Sequence, residues 1–294
     1  MVLNMEWYRV FYFTAKTGSL TKAAEELFIT QPAVTHSIKQ LESKIGGQLF
    51  FRTSKGVKLT SEGEVLYKYI EQAYNFIQTG ERKIAEMQQL MDGEIKIGAG
   101  DTLIKHYLLP YLKEFNESYP DIHIQVTNRT TPETIELLRK GNIDLGIVNL
   151  PIEDKNLNII ETLHIEDCFI TGNKYKHLAE KPISLETLIN YPVILLEKGS
   201  NTRKYIDSFT KENGIMIYPE IELGSLDLLV DFSKSGLGIA CVIRNFICNE
   251  LANSRVFEIK LEKPIPPRKV GIVSLKNVPL STTAKRFIDL ISYN

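Results

Sequence analysis

The sequence contains few residues of the kinds that bind metals or act as nucleophiles. It has three cysteines and five histidines among 294 residues, and Cys168, Cys241 and Cys248 follow no C-x-x-C spacing. The motifs G-x-S-x-G and H-E-x-x-H are absent, and no glycine-rich phosphate loop follows a predicted strand. We therefore expect no metal, no cofactor and no catalytic site. Because the cysteines lie in apolar stretches, we interpret them as reduced core thiols rather than as a metal or redox site.

Long hydrophobic runs and a large net charge are also absent. No run reaches the length of about 18 apolar residues that a membrane span needs, and the N-terminal stretch MVLNMEWYRVFYF lacks the basic flank and cleavage site of an export signal. With 43% hydrophobic residues and a formal net charge of −1, the chain can bury a sizeable core. Its length suggests about two or three domains. We expect a cytoplasmic protein without a membrane partner.

The segment between Gly18 and Gly63 has the pattern of two short helices joined by a tight turn. Ser19 can cap the first helix and Thr30 the second, because short hydroxyl side chains accept hydrogen bonds from the first free N–H groups of a helix. This order predicts a helix-turn-helix. The residues predicted to be buried are Ala23, Ala24 and Leu27 in the first helix, and Ala33, Val34, Ile38, Leu41 and Ile45 in the second.

The outward face of the second helix is predicted to be polar and rich in hydrogen-bond donors, which suits contact with base edges in a major groove. The stretch Gln48 to Thr60 alternates apolar and basic residues and predicts a β-wing. Seven lysines and arginines stand against three glutamates between Lys16 and Lys58, so the positive charge is local. The candidate DNA-binding residues are Thr30, Gln31, Pro32, Thr35, His36, Lys39, Arg52 and Lys55. The alternative is a three-helix domain that docks a protein.

Five sequence pieces occur here in a fixed order: A-A-x-x-L, T-Q-P-A-V-T, I-K-Q-L-E, G-x-x-L-F-x-R and L-T-x-x-G. In order and spacing they resemble the N-terminal winged helix of LysR-type transcriptional regulators. His36 stands where that family usually has arginine or another basic residue. The resemblance implies a transcriptional regulator that binds double-stranded operator DNA with dyad-related half-sites.

A long helix is predicted from Ser61 to Met91, with apolar residues spaced alternately four and three apart. This spacing is typical of a coiled-coil seam. A helix of about 30 residues extends about 45 Å, which favours self-association over packing on its own chain, the alternative. We expect a homodimer through this helix and a homotetramer built from such dimers. The predicted seam consists of Leu66, Ile70, Ala73, Ile77, Gly80, Ile84, Met87 and Met91.

From Glu94 onward, predicted strands alternate with helices, as in the βα units of a parallel sheet. One predicted helix runs from Leu103 to Ser118 and is interrupted at Pro110. The chain completes one βα set, runs a second and returns to the first after Pro267, which describes two lobes joined by a double crossover. This layout resembles the LysR-type effector domain, which has the type 2 periplasmic-binding-protein fold.

The predicted fold class is α+β multidomain: an N-terminal winged helix-turn-helix, a long linker helix and a C-terminal two-lobed α/β effector domain. The predicted domains are the DNA-binding domain at 1–61, the dimerisation linker at 62–92 and the effector-binding domain at 93–294. Lobe I is expected at about 93–162 and 267–294, and lobe II at about 163–266.

Hydroxyl-bearing turns follow several predicted strands, where free N–H groups at helix N-termini favour anions. By resemblance, the stretches I-G-A-x-x-T and G-S-x-T-R carry hydroxyls that contact the effector. The resemblance places this site at Thr102, Ser200 and Thr202, with Thr131 and Ser225 as neighbours. Gly100 departs from the family, in which serine is frequent, and Asp101 disfavours an anion unless it points away. The hydroxyls and the partial positive field of the helix N-termini favour a small anionic effector between the lobes. Arg203 is the one fixed cation nearby, unless it points along the helix surface.

Two other functions compete with this interpretation. One is an enzyme on a two-lobed α/β fold with an accessory DNA-binding module, which the missing catalytic motifs argue against. The other is an architectural DNA-binding protein, which does not explain a second half of about 200 residues with a cleft.

Overall fold

The computed structural model describes residues 4–53, 56–88 and 93–292. The chain divides into two compact units, Met1–Ile84 and Ala85–Asn294. Two residues named above, Lys55 and Met91, lie outside the described residues. No described helix is long and apolar enough to cross a membrane.

The first unit contains the predicted helix-turn-helix followed by an antiparallel hairpin. Ser19 caps the second helix by accepting a hydrogen bond from Lys22 N, and Thr30 caps the third by accepting one from Ala33 N. The helices enclose a core centred on Phe11 and Leu41. The elements are α1 (Met5–Thr17), α2 (Leu20–Leu27), α3 (Gln31–Ile45), β1 (Phe50–Thr53) and β2 (Gly56–Leu59).

The burial pattern of α3 differs from the expectation at both ends of the helix. Val34, Ile38 and Leu41 are buried as predicted, but Ala33 and Ile45 are exposed. Ala33 lies in the first turn and Ile45 is the last helical residue before the left-handed Gly46. The core therefore contacts only the middle of α3, and its ends reach past the packed helices.

The start of the next helix, α4 (Ser61–Gln88), is fixed against the hairpin by Thr60 and Gly63. The buried Thr60 hydroxyl donates to Gln48 O at 2.7 Å and accepts from Gly63 N at 3.0 Å. A Cβ on Gly63 would lie 2.2 Å from Leu49 O, so only glycine fits without a backbone shift. This packing explains the L-T-x-x-G pattern in physical terms.

The predicted seam on α4 has two different environments. Its first residues, Leu66 and Ile70, pack against the core of the first unit. Farther along the helix, Ile77 and Ile84 are 46% and 58% exposed. The side chain of Met87 lies outside the described residues. Within the first unit, the later part of the seam thus presents apolar surface that the described residues leave exposed.

Lobe I of the second unit contains a five-stranded sheet in the order β4-β3-β5-β12-β6. Strands β3, β4 and β5 are parallel, whereas β12 runs antiparallel to both β5 and β6. The elements are β3 (Glu94–Ala99), α5 (Asp101–Leu103), α6 (Leu109–Ser118), β4 (His123–Asn128), α7 (Thr131–Arg139), β5 (Leu145–Asn149) and β6 (Leu157–Ile165), and later β12 (Arg268–Leu275) and α12 (Thr282–Ser292).

Lobe II contains a second five-stranded sheet, in the order β11-β7-β10-β8-β9. Strands β8, β9 and β10 are parallel, and β7 runs antiparallel to β10 and β11. The elements are β7 (Asp167–Thr171), α8 (Leu185–Leu188), β8 (Val193–Leu196), α9 (Asn201–Glu212), β9 (Ile221–Leu223), α10 (Leu226–Lys234), β10 (Ile239–Ile243), α11 (Cys248–Ala252) and β11 (Phe257–Ile259), with 3-10 turns at Asn173–Ala179 and Arg244–Phe246.

The predicted βα units are present, since β3, β4 and β5 are parallel in lobe I and β8, β9 and β10 are parallel in lobe II. Each sheet also contains antiparallel strands, which the sequence did not indicate. The double crossover brings β12 back into lobe I against the direction of β5, and β7 enters lobe II against β10. Strand β6 was not anticipated at all. Of its nine residues only Leu157 and Ile165 are buried, so the strand lacks a regular alternation of apolar and polar residues.

The predicted interruption of this helix does not lie at Pro110. Pro110 is the second residue of α6, and the helical backbone continues through it. The irregularity comes earlier, as a π-helical turn at Ile104–Leu108, where Leu109 N donates to Ile104 O. The helical segment therefore starts at Asp101 and continues through Pro110.

Candidate DNA-binding surface and effector cleft

The outward face of α3 carries the polar residues predicted to contact DNA. Gln31, His36 and Lys39 are exposed, and Thr35 is partly exposed. Gln31 Nε2 donates to Thr35 Oγ1 at 3.1 Å, which holds these two side chains together one turn apart. The bond leaves the Gln31 amide oxygen and the Thr35 hydroxyl hydrogen able to bond a base edge.

The N-terminus of α3 is itself part of this face. Thr30 is exposed and caps the helix, and Pro32 occupies the first turn, where proline is compatible with helical geometry. Free N–H groups and the helix dipole make such a terminus suitable for a phosphate oxygen.

The one acidic residue of α3 is directed toward the hairpin. Glu42 Oε1 accepts hydrogen bonds from Leu49 N at 2.8 Å and from Phe50 N at 3.4 Å. Its charge therefore stabilises the entry into β1. This arrangement gives the glutamate of I-K-Q-L-E a structural role and leaves the outward face of α3 without a carboxylate.

The hairpin lies directly beside the helix pair and carries basic side chains. Val57 N donates to Gly18 O at 2.9 Å, and a Cβ on Gly56 would lie 2.3 Å from Gly18 O. Arg52 on β1 and Lys58 on β2 are exposed. The register pairs Arg52 with Val57 and Lys58 with Phe51, so the two cations extend from opposite faces of the hairpin.

In the second unit, the predicted effector hydroxyls lie at the carboxyl edges of the two sheets. Within lobe I, Ala99 pairs with Asn128, so the turns that contain Thr102 and Thr131 are neighbours. Within lobe II, Leu196 pairs with Leu223, which brings the start of α9 beside the start of α10. The lobe II hydroxyls are Ser200, Thr202 and Ser225.

These hydroxyls differ in burial and in whether they already make a hydrogen bond within the chain. Ser200 Oγ accepts from Arg203 N at 3.0 Å and so caps α9. Thr131 and Thr202 are buried. Ser225 caps α10 by position but makes no side-chain capping bond. Within the described residues, no cluster of histidine, cysteine or carboxylate side chains could hold a metal ion.

Comparison with known proteins identifies both units. Residues 5–64 match the model of the bacterial regulatory helix-turn-helix protein, lysR family, and residues 88–293 match that of the LysR substrate binding domain. The chain belongs to the LysR family of transcriptional regulators. It is a DNA-binding regulator and not an enzyme.

Individual LysR-type relatives match over most of the chain. The HTH-type transcriptional activator CmpR of Synechocystis sp. is 30% identical over 288 residues, covering 98% of this chain and 94% of CmpR. Full-length CbnR complexed with its target DNA has a TM-score of 0.67 at 17% identity, with 98% of this chain and 99% of CbnR covered. The effector binding domain of QuiR in complex with shikimate has a TM-score of 0.60 at 21% identity, covering 69% of this chain and 96% of that domain.

Arg203, considered above as the one fixed cation near the effector, is not available to a ligand in this LysR-type chain. It is 3% exposed, and its guanidinium donates to Asp207, Glu222 and Leu196 O at 2.7 to 2.9 Å. Two carboxylates thus neutralise its charge inside lobe II. Burial lowers the pKa of Arg203, but the hydrogen bonds to Glu222 and Asp207 outweigh it and raise the pKa overall.

Sequence reasoning missed Arg268, the first residue of β12. Its buried guanidinium donates to both Asp167 oxygens at 2.5 and 2.9 Å, to Asn149 Oδ1 at 2.7 Å and to Thr202 Oγ1 at 3.0 Å. Arg268, at the second crossover, therefore bonds Asp167 at the first crossover, Asn149 in lobe I and Thr202 in the first turn of α9. No clear signal in the sequence indicated this role, because Arg268 is followed directly by Lys269 and the pair resembles an exposed basic stretch.

Two other features of the second unit were not predicted from the sequence. Arg129, next to Thr131, is exposed and donates to Asn128 O at 2.7 Å, so lobe I carries a cation that was not predicted. Beside Arg268 lies an open cavity of about 480 Å³, within the size range of small-molecule sites. Its lining is mainly apolar and comprises Leu150, Pro151, Ile152, Ile159, Glu161, Tyr205, Pro267, Arg268 and Lys269.

The three cysteines do not share one environment. Cys168 and Cys241 are buried on paired strands, and burial raises the pKa of both thiols far above the ordinary range. Because the thiolate is the reactive form, these two are poor nucleophiles. Cys248 is exposed, so its assignment as a core thiol is wrong. Its thiol contacts Arg244 O and Asn245 O at the start of α11.

Proposed function

We propose that this LysR-type regulator reads operator DNA through Thr30, Gln31, Pro32, Thr35, His36 and Lys39 of the α3 region, with Arg52 and Lys55 on the wing contacting phosphates. A small anionic effector, bound between the lobes at Thr102, Thr131, Ser200, Thr202 and Ser225, changes this binding. The functional division is 1–61 for DNA, 62–92 for association and 93–294 for the effector. Such a protein acts in the cytoplasm, where the DNA is.

The face of α3 is the observation that supports this assignment of residues. It combines the ordered Gln31–Thr35 pair with exposed His36 and Lys39, while Glu42 is held against the wing. Hydrogen-bonding groups without acidic charge are what the electronegative major groove accepts.

The DNA proposal is tested with Thr35→Ala and His36→Ala. Each should weaken binding to the operator by about 1–3 kcal/mol, because base-edge contacts carry sequence discrimination. Titration of labelled operator and of a scrambled duplex at two salt concentrations measures this. Unchanged operator affinity in both variants would remove α3 as the reader.

Arg52→Ala is the matched control for those variants. A phosphate contact carries no sequence information, so this change should weaken binding to operator and scrambled duplex alike and reduce the salt dependence. A loss confined to the operator would contradict the role of Arg52.

Association through α4 is proposed from its exposed seam. Ile77 and Ile84 are large apolar residues that remain about half exposed in the single chain, and a second copy of the helix would cover them. A homodimer presents two reading helices to two dyad-related half-sites, and a homotetramer combines two such dimers.

The effector proposal is supported by the hydroxyls and helix N-termini at the facing edges of the sheets. QuiR, a relative in fold, is described in complex with shikimate, a small carboxylate. A thermal-shift screen of small carboxylates and inorganic oxyanions on the full chain should give stabilising ligands, since binding to the folded state raises its stability.

The ligand found is then tested on Ser200→Ala combined with Thr202→Val. This double variant should lose the thermal shift while it keeps operator binding. Ser184→Ala is the control, because it removes an equivalent helix cap from α8 in the same lobe. An undiminished shift in the double variant, or a screen that yields only cations, would contradict the proposal.

A further inference from the structure

The two lobes are joined by charged side chains at a point that the proposed effector site does not use. Lys105 Nζ donates to Asp227 Oδ2 at 2.7 Å, and His106 Nε2 lies 3.3 Å from Asp227 Oδ1. Lys105 and His106 belong to the π-helical turn of lobe I, whereas Asp227 lies in the first turn of α10 in lobe II. One carboxylate thus receives two side chains from the other lobe.

An aromatic contact joins the lobes at the same place. The His106 ring stacks on Phe246, with ring centroids 5.1 Å apart and planes inclined by 10°. Phe246 ends the 3-10 turn after β10, so it belongs to lobe II. His106 therefore bridges to two separate elements of lobe II, one by hydrogen bonding and one by stacking.

The charges around this contact favour the ion pair. Burial raises the pKa of the Asp227 carboxyl, but the hydrogen bonds from Lys105 and His106 outweigh burial and lower its pKa overall. The hydrogen bond to Asp227 raises the pKa of Lys105, and the nearby carboxylates of Asp101 and Glu250 act in the same direction. Both partners accordingly remain charged at neutral pH.

The contact is exposed enough to open and close. The side chains of Lys105 and Asp227 are 56% and 40% exposed, so water and salt screen their attraction. A screened ion pair contributes little free energy, which suits an interaction that must break when the lobes move apart. The buried Arg268–Asp167 pair at the crossovers differs in this respect, because opening it would leave a charge unsolvated.

We propose that Lys105, His106, Asp227 and Phe246 form an interlobe latch that sets how often the two lobes are closed before any effector binds. Lys105 follows Thr102 by three residues and Asp227 follows Ser225 by two, so the latch lies on the same helical turns as two proposed effector hydroxyls. Breaking it frees those turns. This inference requires only the two-lobed structure and holds whichever ligand occupies the cleft.

Hydrogen exchange followed by mass spectrometry on the full chain without ligand tests the latch. In Asp227→Ala, a change in lobe II, amides of residues 101–108 in lobe I should exchange about two- to fivefold faster, as for the loss of a partly exposed ionic contact. Asp231→Ala is the matched control, since among the described residues Asp231 pairs with Lys234 of its own helix, at 3.1 Å. It should leave residues 101–108 unchanged.

The second experiment changes lobe I and measures hydrogen exchange in lobe II. Lys105→Met in lobe I should speed exchange in residues 226–234 of lobe II, whereas Lys113→Met, which removes a pair with Glu117 on the same helix, should not. Effects in the opposite lobe from both latch variants, and from neither control, support the latch. Effects confined to the mutated lobe, or equal effects from the controls, overturn it. Neither arm involves DNA or effector, so failure here leaves the proposed function untouched.

Discussion

The winged domain and the effector domain place their polar side chains in opposite ways. On the winged domain, Gln31, His36 and Lys39 stand on the surface, and the acidic Glu42 is bonded to the hairpin. In the effector domain, Arg268 and Asp167 are buried and bond each other. The proposed DNA-binding surface is therefore formed before DNA arrives, whereas an effector at the proposed site near Thr202 would meet groups that already have partners.

This difference has an energetic consequence. A side chain on the surface can be removed at little cost in folding free energy, but a buried ionic network makes each member depend on the others. Substitutions in the effector domain should thus affect stability first, and substitutions on the face of α3 should affect binding first.

The strongest test of this comparison is Arg268→Met. It leaves the Asp167 carboxylate buried without a countercharge, which should lower the free energy of unfolding by about 3–5 kcal/mol. Arg203→Met is the matched control: its partners Asp207 and Glu222 are 45% and 38% exposed and can be hydrated when the arginine is gone. The free energy of unfolding should therefore fall clearly less in Arg203→Met than in Arg268→Met.

Urea unfolding followed by two probes distinguishes the stabilities of the two units in this experiment. Trp7, the one tryptophan of the chain, lies in α1 and reports the first unit by fluorescence, while circular dichroism reports the whole chain. In Arg268→Met the circular-dichroism transition should move and the Trp7 transition should not. Equal losses in the two arginine variants would show that burial of the partner carboxylate does not decide the cost.

Gly63→Ala tests the comparison in the winged domain, where it should reduce stability. Its Cβ would overlap Leu49 O, and relief requires a backbone shift at the start of α4, so we expect a loss of about 1–3 kcal/mol in the Trp7 transition. Gly47→Ala serves as control, because no atom lies within 4 Å of its added Cβ. Similar stabilities of the two variants would mean that the contact at Leu49 relaxes freely.

The smallest expected effect comes from Thr14→Val. Thr14 is fully buried in α1, and among the described residues its Oγ1 is the buried side-chain atom without a hydrogen-bond partner. Replacing it with an isosteric methyl should stabilise the first unit by about 1 kcal/mol. Thr60→Val should instead destabilise it, because that hydroxyl bonds both Gln48 O and Gly63 N. A loss in Thr14→Val would reveal a hydrogen bond that forms in solution.

The helix-turn-helix could be predicted from sequence because its signals are local. Ser19 and Thr30 cap the helices that follow them, and the buried residues of α3 recur at helical spacing. The two-lobed fold was predictable from the order of strands and helices. Strand direction was not, since the reversal of β12 depends on a return from lobe II over a hundred residues after β6.

The cleft was less predictable than the fold for a similar reason. Ser200 and Ser225 were placed correctly at helix N-termini because capping involves only near neighbours. The partners of Arg268 are 66 to 119 residues away in the chain, and no local pattern indicates which carboxylate a buried arginine meets. The charges in the cleft are set by these distant pairs, so they could not be predicted from the sequence alone.

The π-helical turn at Ile104–Leu108 also limits which insertions and deletions the chain tolerates. It holds one residue more than an α-helical turn, and one residue corresponds to a rotation of about 100°. Deleting a single residue there would restore a regular helix but turn Lys105 and His106 away from lobe II, or else rotate Tyr107 and Leu108 out of the core. Length variants in this turn should therefore be far less viable than single substitutions at the same positions.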